Sequence, residues 1–134
     1  DKRLLHVTSI LGIQELLSAY PPEISVGQKQ RVAAARALIT NPKIIFADEP
    51  TGSLDSKSAT ELLKYLAEIN LHDDATILMV THDPYTASFC NRILFIKDGA
   101  IFSEVVRQGS RKEFFNRVID MQATIGGGGR ANDF

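Results

Sequence analysis

The sequence is poor in cysteine, in long apolar runs and in surplus charge of either sign. Cys90 is the only cysteine among 134 residues, which excludes an internal disulfide framework and suits a reducing cytoplasm. No uninterrupted apolar run is longer than four residues, so no segment is predicted to span a membrane. Fifteen Lys and Arg residues against sixteen Asp and Glu residues leave a net charge of −1, which argues against a general nucleic-acid or anionic-membrane binder.

The sequence also lacks a phosphate-binding loop. Such a loop needs G-x-x-x-x-G-K-[ST], whose backbone amides cradle the phosphates. No glycine starts this motif, as a check of each position shows: Gly12, Gly27, Gly52, Gly99, Gly109 and the run 126–129. Because the chain opens at Asp1 and shows no signal peptide, we expect the native N-terminus to lie further upstream.

What is present predicts one α/β domain, since 44% of the residues are apolar and can bury a core. Continuous apolar segments at 44–47, 77–80 and 93–96 predict strands that are covered on both faces, as in parallel sheets. An apolar stripe over 59–69 predicts a helix between the first two strands. This alternation of strand, helix and strand is typical of an α/β fold.

Further helices and a hairpin are predicted on either side of these strands. Residues 1–19 carry the apolar spacing of two short helices. Asp98-Gly99 predicts a hairpin turn after the third strand. An amphipathic helix is predicted over 114–121, and we expect the glycine run 126–129 to be flexible and to leave a loose tail over 130–134.

An acidic pair, Asp48-Glu49, directly follows the first predicted strand. Ligands gather at the carboxyl ends of strands in open α/β sheets, so these carboxylates are well placed to hold Mg²⁺ through water and to orient an attacking water. The competing interpretation is a solvated strand end or a helix-capping acid. His82 follows the second strand, where it could bind a phosphate, although a lone histidine at such a place is more often a loop residue without a task.

A third candidate is the start of the helix predicted from Ser25 to about Thr40. The amides and the dipole of a helix N-terminus form an anion site, and the serine hydroxyl adds a donor. Ser25-x-x-Gln28 also reads as a capping box, and a plain cap is compatible with the same residues.

These elements form a specific order along the chain: Ser25-Val26-Gly27-Gln28, the strand ending in Asp48-Glu49, Ser53-Leu54-Asp55, and Thr81-His82-Asp83. They resemble, in that order, the signature loop, the Walker B strand, the D-loop and the switch histidine of the ATP-binding cassette of ABC transporters. The resemblance covers roughly residues 20–102. It implies the carboxyl-terminal half of a P-loop NTPase-type ABC ATPase core, with an α/β fold. It divides the chain into the end of the helical subdomain (1–24), the part of the core from signature loop to switch histidine (25–106), and a carboxyl-terminal helix with a glycine-rich tail (107–134).

The resemblance implies ATP and Mg²⁺ as cofactors, and a second cassette and a transmembrane permease as partners, at the cytoplasmic face of the membrane. It implies no nucleic-acid partner. In this family two cassettes dimerise head to tail, so that each ATP lies between one subunit's phosphate loop and the other's signature loop. The resemblance implies that the signature loop Ser25, Val26, Gly27 and Gln28 binds the nucleotide, with Ser25 and Gly27 at the γ-phosphate. It further implies Asp48 at Mg²⁺ through water, Glu49 as general base, His82 as γ-phosphate sensor, and Asp55 among the cofactor-binding residues and in the dimer interface.

The run 48–55 is similar to cassettes of the lipoprotein, macrolide and peptide-antibiotic branch. A narrower resemblance, to Gram-positive bacitracin-type resistance transporters, rests on Asp83-Pro84-Tyr85, the segment 89–99 and the glycine-rich ending before Asp133-Phe134. One departure is Val26, where the usual signature has glycine, because valine resists positive φ and slower hydrolysis is therefore possible. The other is the missing phosphate loop, so we expect the chain alone to bind ATP poorly and not to hydrolyse it. Two alternatives stay open: a truncated, non-catalytic cassette that pairs with an intact one, and a non-transport ABC ATPase.

Overall fold

A computed structural model describes residues 2–20 and 25–130 of the chain. The chain forms two compact units, the first ending at Val80 and the second beginning at Thr81. This division falls inside the central part 25–106 that the sequence analysis treats as one piece. Residues 21–24, at the end of the predicted helical subdomain, and 131–134, in the predicted tail, lie outside the described residues.

The first unit alternates helices and strands as the sequence predicts. Its elements are α1 (Lys2–Ile10), a 3₁₀ turn (Gln14–Leu16), α2 (Val26–Leu38), β1 (Ile44–Asp48), α3 (Ser56–His72) and β2 (Thr76–Val80). The two strands pair in parallel, with Ile44 opposite Thr76 and Asp48 opposite Val80. Since α3 connects them, the unit contains a strand–helix–strand crossover. The predicted α/β architecture is confirmed here.

One face of the β1–β2 sheet packs into an apolar core. The buried members of that core lie in β1 and in the helices and loops that pack against the sheet: Val7, Leu11, Ile13, Leu38, Ile45, Leu62, Leu66, Ile69 and Ala75. The prediction that both faces are covered is wrong for the described residues, because alternate side chains on the other face are more than half exposed: Ile44, Phe46, Leu78 and Val80. Side chains alternate between the faces of a strand, so one helical layer covers only every second residue.

The second unit consists of α4 (Pro84–Ala87), β3 (Arg92–Lys97), β4 (Ala100–Val106) and α5 (Arg111–Arg130). The predicted hairpin is confirmed, since β3 and β4 pair antiparallel and its turn residues Asp98 and Gly99 have φ values of 52° and 77°. The third apolar segment is therefore not a further strand of the β1–β2 pair: the described strands form two separate two-stranded sheets. The core of the second unit consists of Ala87, Phe95, Val105, Phe114 and Val118.

The glycine run departs from its prediction. We expected 126–129 to be flexible, whereas α5 continues through these positions to Arg130. Glycine disfavours a helix interior by about 1 kcal/mol per residue relative to alanine. Once a helix has formed, however, each added residue contributes one more backbone hydrogen bond without a new nucleation step. The preceding amphipathic turns, anchored by Phe114 and Val118, supply that nucleus.

Candidate functional site

Residues 25–28, which resemble a signature loop and are called by that name, form the capped start of α2. The Ser25 side chain accepts a hydrogen bond from the Gln28 amide at 3.1 Å, and the Gln28 side chain accepts one from the Ser25 amide at 2.9 Å. The predicted capping box is thus present. The Ser25 hydroxyl still carries its own proton to donate, and the first amides of the helix point away from the helix body. The loop can therefore offer several donors to an anion.

Val26 does not distort this loop. It occupies the first helical position of α2, and its φ is not among the positive values found in the described residues. The concern that a β-branched residue would resist positive φ therefore does not apply at this position. Val26 is also exposed, so its side chain projects from the loop into solvent.

The acidic pair lies at the carboxyl end of β1. Asp48 is the last residue of the strand and is exposed, whereas Glu49 is half-buried. The Glu49 amide donates to the Val80 carbonyl at 2.8 Å, so the residue continues the contact between β1 and β2 one step beyond the strand. Glu49 has a φ of 43°, in the left-handed region that glutamate rarely adopts. The backbone turns sharply here, which sequence reasoning did not foresee.

The donor chemistry of the acidic pair fits Mg²⁺. Magnesium binds hard oxygen ligands and keeps several waters, so that one or two carboxylates together with substrate phosphates are sufficient. An exposed carboxylate at Asp48 meets this need. Among residues 2–20 and 25–130, no group of three or more His, Cys, Asp or Glu side chains could enclose a metal without such additional ligands.

Asp55 is the N-cap of α3 and is fully exposed. The pKa of Asp55 is lowered from its ordinary value of 3.8, chiefly by the Ser58 side chain, against a smaller opposing effect of desolvation. Its carboxylate is therefore charged at neutral pH. Its exposed position at a helix start suits the predicted place in a subunit interface.

His82 belongs to the second unit and is exposed. Its carbonyl accepts a hydrogen bond from Gln122 Nε2 of α5 at 3.3 Å, which fixes the backbone of the residue. The next residue, Asp83, caps α4 by accepting hydrogen bonds from the amides of Tyr85 and Thr86. The backbone is thus held by contacts at His82 itself and at the residue that follows it.

Within the first unit the structure brings several predicted residues onto well-defined elements. The acidic pair lies at the end of β1, beside the end of β2. The start of α2 packs against the start of α3. A contact that the sequence analysis missed lies there, because Gly27 is buried and a Cβ on it would meet Ser58 at 2.9 Å. No short sequence pattern predicts a contact between residues that are 31 positions apart. His82 lies in the second unit and has its own contacts there.

Comparisons with known proteins give the same family as the sequence resemblance. Residues 1–52 match the family described as ABC transporter. The chain is 52% identical to the bacitracin export ATP-binding protein BceA of Halalkalibacterium halodurans, over 95% of this chain and 51% of that protein. It is 45% identical to the ABC transporter ATP-binding protein YxdL of Bacillus subtilis, over 99% of this chain and 51% of that protein. The chain thus spans about half the length of the curated relatives it matches.

Solved structures give the same result for the fold. The dimeric structure of the bacterial ABC transporter cassette MJ0796 matches with a TM-score of 0.66 and 42% identity, over 81% of this chain and 47% of that one. The structure of cbiO1 from Clostridium perfringens, part of an ABC transporter complex, matches with a TM-score of 0.75 and 31% identity, over 91% of this chain and 48% of that one. None of the helices in the described part of the chain is long and apolar enough to cross a bilayer. By motif, sequence and fold, the chain belongs to the ATP-binding cassettes of ABC transporters.

Proposed function

We propose that the chain is the carboxyl-terminal half of the ATP-hydrolysing subunit of an ABC transporter that exports, or protects against, a peptide antibiotic or a similar amphiphile. The observation that carries the proposal is the acidic pair at the end of β1, with Glu49 held in place through its amide, in a chain that also presents a capped signature loop. The substrate class is supported by the bacitracin export relative. The subunit binds a second cassette and a permease at the cytoplasmic face of the membrane.

Glu49 acts as the general base in this proposal. A carboxylate at a strand end can accept the proton of a water that attacks the γ-phosphate. The hydrogen bond from its amide to Val80 and its left-handed backbone fix where the side chain leaves the chain. Asp48, next to it, holds Mg²⁺ through water. When bound, Mg²⁺ neutralises the charge that develops on the phosphates.

The signature loop binds the γ-phosphate of the ATP that a second cassette holds. Its hydroxyl at Ser25 and the first amides of α2 are donors, and the positive end of the helix dipole favours the anion. His82 hydrogen-bonds the same phosphate, and Asp55 lies in the interface that joins the two cassettes. Without a phosphate loop of its own, residues 1–134 do not hydrolyse ATP alone.

A substitution of the general base tests the proposal in the native gene product. Glu49→Gln keeps the shape but cannot accept a proton, so hydrolysis should fall about 100- to 10,000-fold, the usual contribution of a general base. ATP binding should persist, and an ATP-bound dimer should accumulate in size-exclusion chromatography. Glu68→Gln, an exposed change in α3, is the matched control. Hydrolysis by Glu49→Gln at the unmodified rate would contradict the assigned role.

Intact mass and N-terminal peptide sequencing of the native gene product separate this proposal from its alternatives. A product about twice as heavy, with G-x-x-x-x-G-K-[ST] upstream, would support the transporter ATPase, since the motif supplies the phosphate cradle. A product that begins near Asp1 would support a non-catalytic partner of an intact cassette. In the first case, stimulation of ATPase activity by bacitracin in permease-containing membranes would distinguish an antibiotic exporter from a non-transport ATPase.

A further inference from the structure

A row of contacts joins the start of α2 to the start of α3. Gly27 faces Ser58, and one helical turn further along Arg31 Nη1 donates to Glu61 Oε2 at 2.9 Å. The Arg31 guanidinium also lies 5.6 Å from the centre of the Tyr65 ring. Residues four apart on one helix and three and seven apart on the other share a face. The two helices are therefore held in one register along this row.

Gly27 is present because of close approach and not because of its backbone angle. Its φ is not positive, so an L residue could adopt the same conformation. A Cβ on Gly27, however, would lie 2.9 Å from both the Cβ and the Oγ of Ser58. Real Cβ atoms essentially never make contacts shorter than 3.0 Å, and a serine Cβ is too close to its backbone to move aside alone.

We propose that Ser58 is a positioning residue, whose small side chain sets how closely the signature loop approaches the segment that carries Asp55. The inference rests on the proposed function, in which both segments face the second cassette. Ser58 is the third residue of α3, three positions after the N-cap Asp55, so it contacts the signature loop through space and lies close to Asp55 in the chain.

The influence of Ser58 on Asp55 supports this link from the other side. The Ser58 side chain is the largest cause of the lowered pKa of Asp55. One small residue thus acts on both the signature loop and the D-loop carboxylate. A larger side chain at position 58 would push the start of α2 away from α3, and the two segments would no longer present one surface.

Kinetics of the native gene product test the proposal. Ser58→Leu should lower kcat for ATP hydrolysis about 100-fold, the effect of misplacing a contact group by about 1 Å. The affinity of the subunit for a fluorescent ATP analogue should not change, because in the proposed function a phosphate loop outside residues 1–134 holds the nucleotide. Ser58→Ala keeps the Cβ and should retain kcat. Ser56→Leu, at an exposed serine in the same helical turn, is the control.

A double-mutant cycle on urea unfolding tests the contact independently of activity. Gly27→Ala should destabilise the protein, and Ser58→Gly should remove most of that loss because both atoms that clash are then gone. Additive effects, an unchanged kcat in Ser58→Leu, or an equal loss of kcat in Ser58→Ala and Ser58→Leu would each overturn the proposal. If the unmodified product does not hydrolyse ATP, the proposed function fails instead, and the unfolding cycle decides whether Ser58 sets the approach of α2.

Discussion

The backbone at Glu49 leads to a prediction about the free energy of unfolding. At this position glycine should stabilise the protein more than alanine does, which is the reverse of their order inside a helix. Four non-glycine residues have positive φ in the described part of the chain: Asn41, Glu49, Asp74 and Asp98. The other three are Asn or Asp, whose short polar side chains tolerate the left-handed region. Glutamate is longer and does not share this tolerance, so its Cβ costs the folded protein roughly 1–2 kcal/mol at this position.

The comparison that isolates this cost is Glu49→Gly against Glu49→Ala. Both variants lose every contact of the Glu49 side chain, and they differ in the Cβ that conflicts with a φ of 43°. Glu49→Gly should therefore be more stable than Glu49→Ala by about 1 kcal/mol, even though glycine loses more chain entropy on folding. At Glu68, inside α3, the order should reverse, with Gly less stable than Ala by about 1 kcal/mol.

Urea unfolding of the four variants of the native gene product, followed by circular dichroism, gives the free energies of unfolding. Under the proposed function, ATP hydrolysis should fall in both variants at position 49 as it does in Glu49→Gln, as expected if the strained residue is kept for its carboxylate. A higher free energy of unfolding for Glu49→Ala than for Glu49→Gly, or the same order of Ala and Gly at positions 49 and 68, would refute the left-handed assignment.

Two further predictions concern the second unit. Phe114→Ala should lower the free energy of unfolding by about 3–5 kcal/mol, because Phe114 is fully buried, while Ile119→Ala at a 40% exposed position should have a small effect; a similar loss in both would contradict this. Burial raises the pKa of the Cys90 thiol above 9.0, so folded protein should react slowly with iodoacetamide at pH 8 and quickly in urea. The stability that the neutral thiol contributes is present below pH 9 and is lost as the pH rises through the folded pKa; equal alkylation rates in both states would be inconsistent with burial.

The parts of the site that are encoded locally could be predicted from the sequence. The capping box at Ser25 and Gln28 depends on two residues three apart, and both of its hydrogen bonds are present. The hairpin turn at Asp98-Gly99 likewise depends on adjacent residues that tolerate positive φ. Each of these signals is complete within a few positions, so no knowledge of distant contacts is needed.

The parts that depend on contacts between distant segments could not be predicted. Ser58 carries no motif that singles it out, and its contact with Gly27 exists only because α2 and α3 pack at that register. The positive φ of Glu49 could not be predicted either. Its amide donates to the Val80 carbonyl, 31 residues further along the chain, and glutamate gives no sequence signal for a left-handed turn.

The error in the predicted burial of the sheet has a definite physical cause. Continuous apolar strands occur where both faces are covered, whereas a sheet covered on one face shows an alternating pattern. Here β1 and β2 carry the continuous pattern but have alternating burial, and Phe46 is 76% exposed. The side chains of Phe46 and Val80 stay more than half exposed in residues 2–20 and 25–130. The apolar composition of β1 and β2 is therefore that of strands in a sheet with two covered faces. Their burial is that of a sheet covered on one face, by the single layer that α3 and its neighbours provide. The chain that shows this burial is about half as long as its curated relatives.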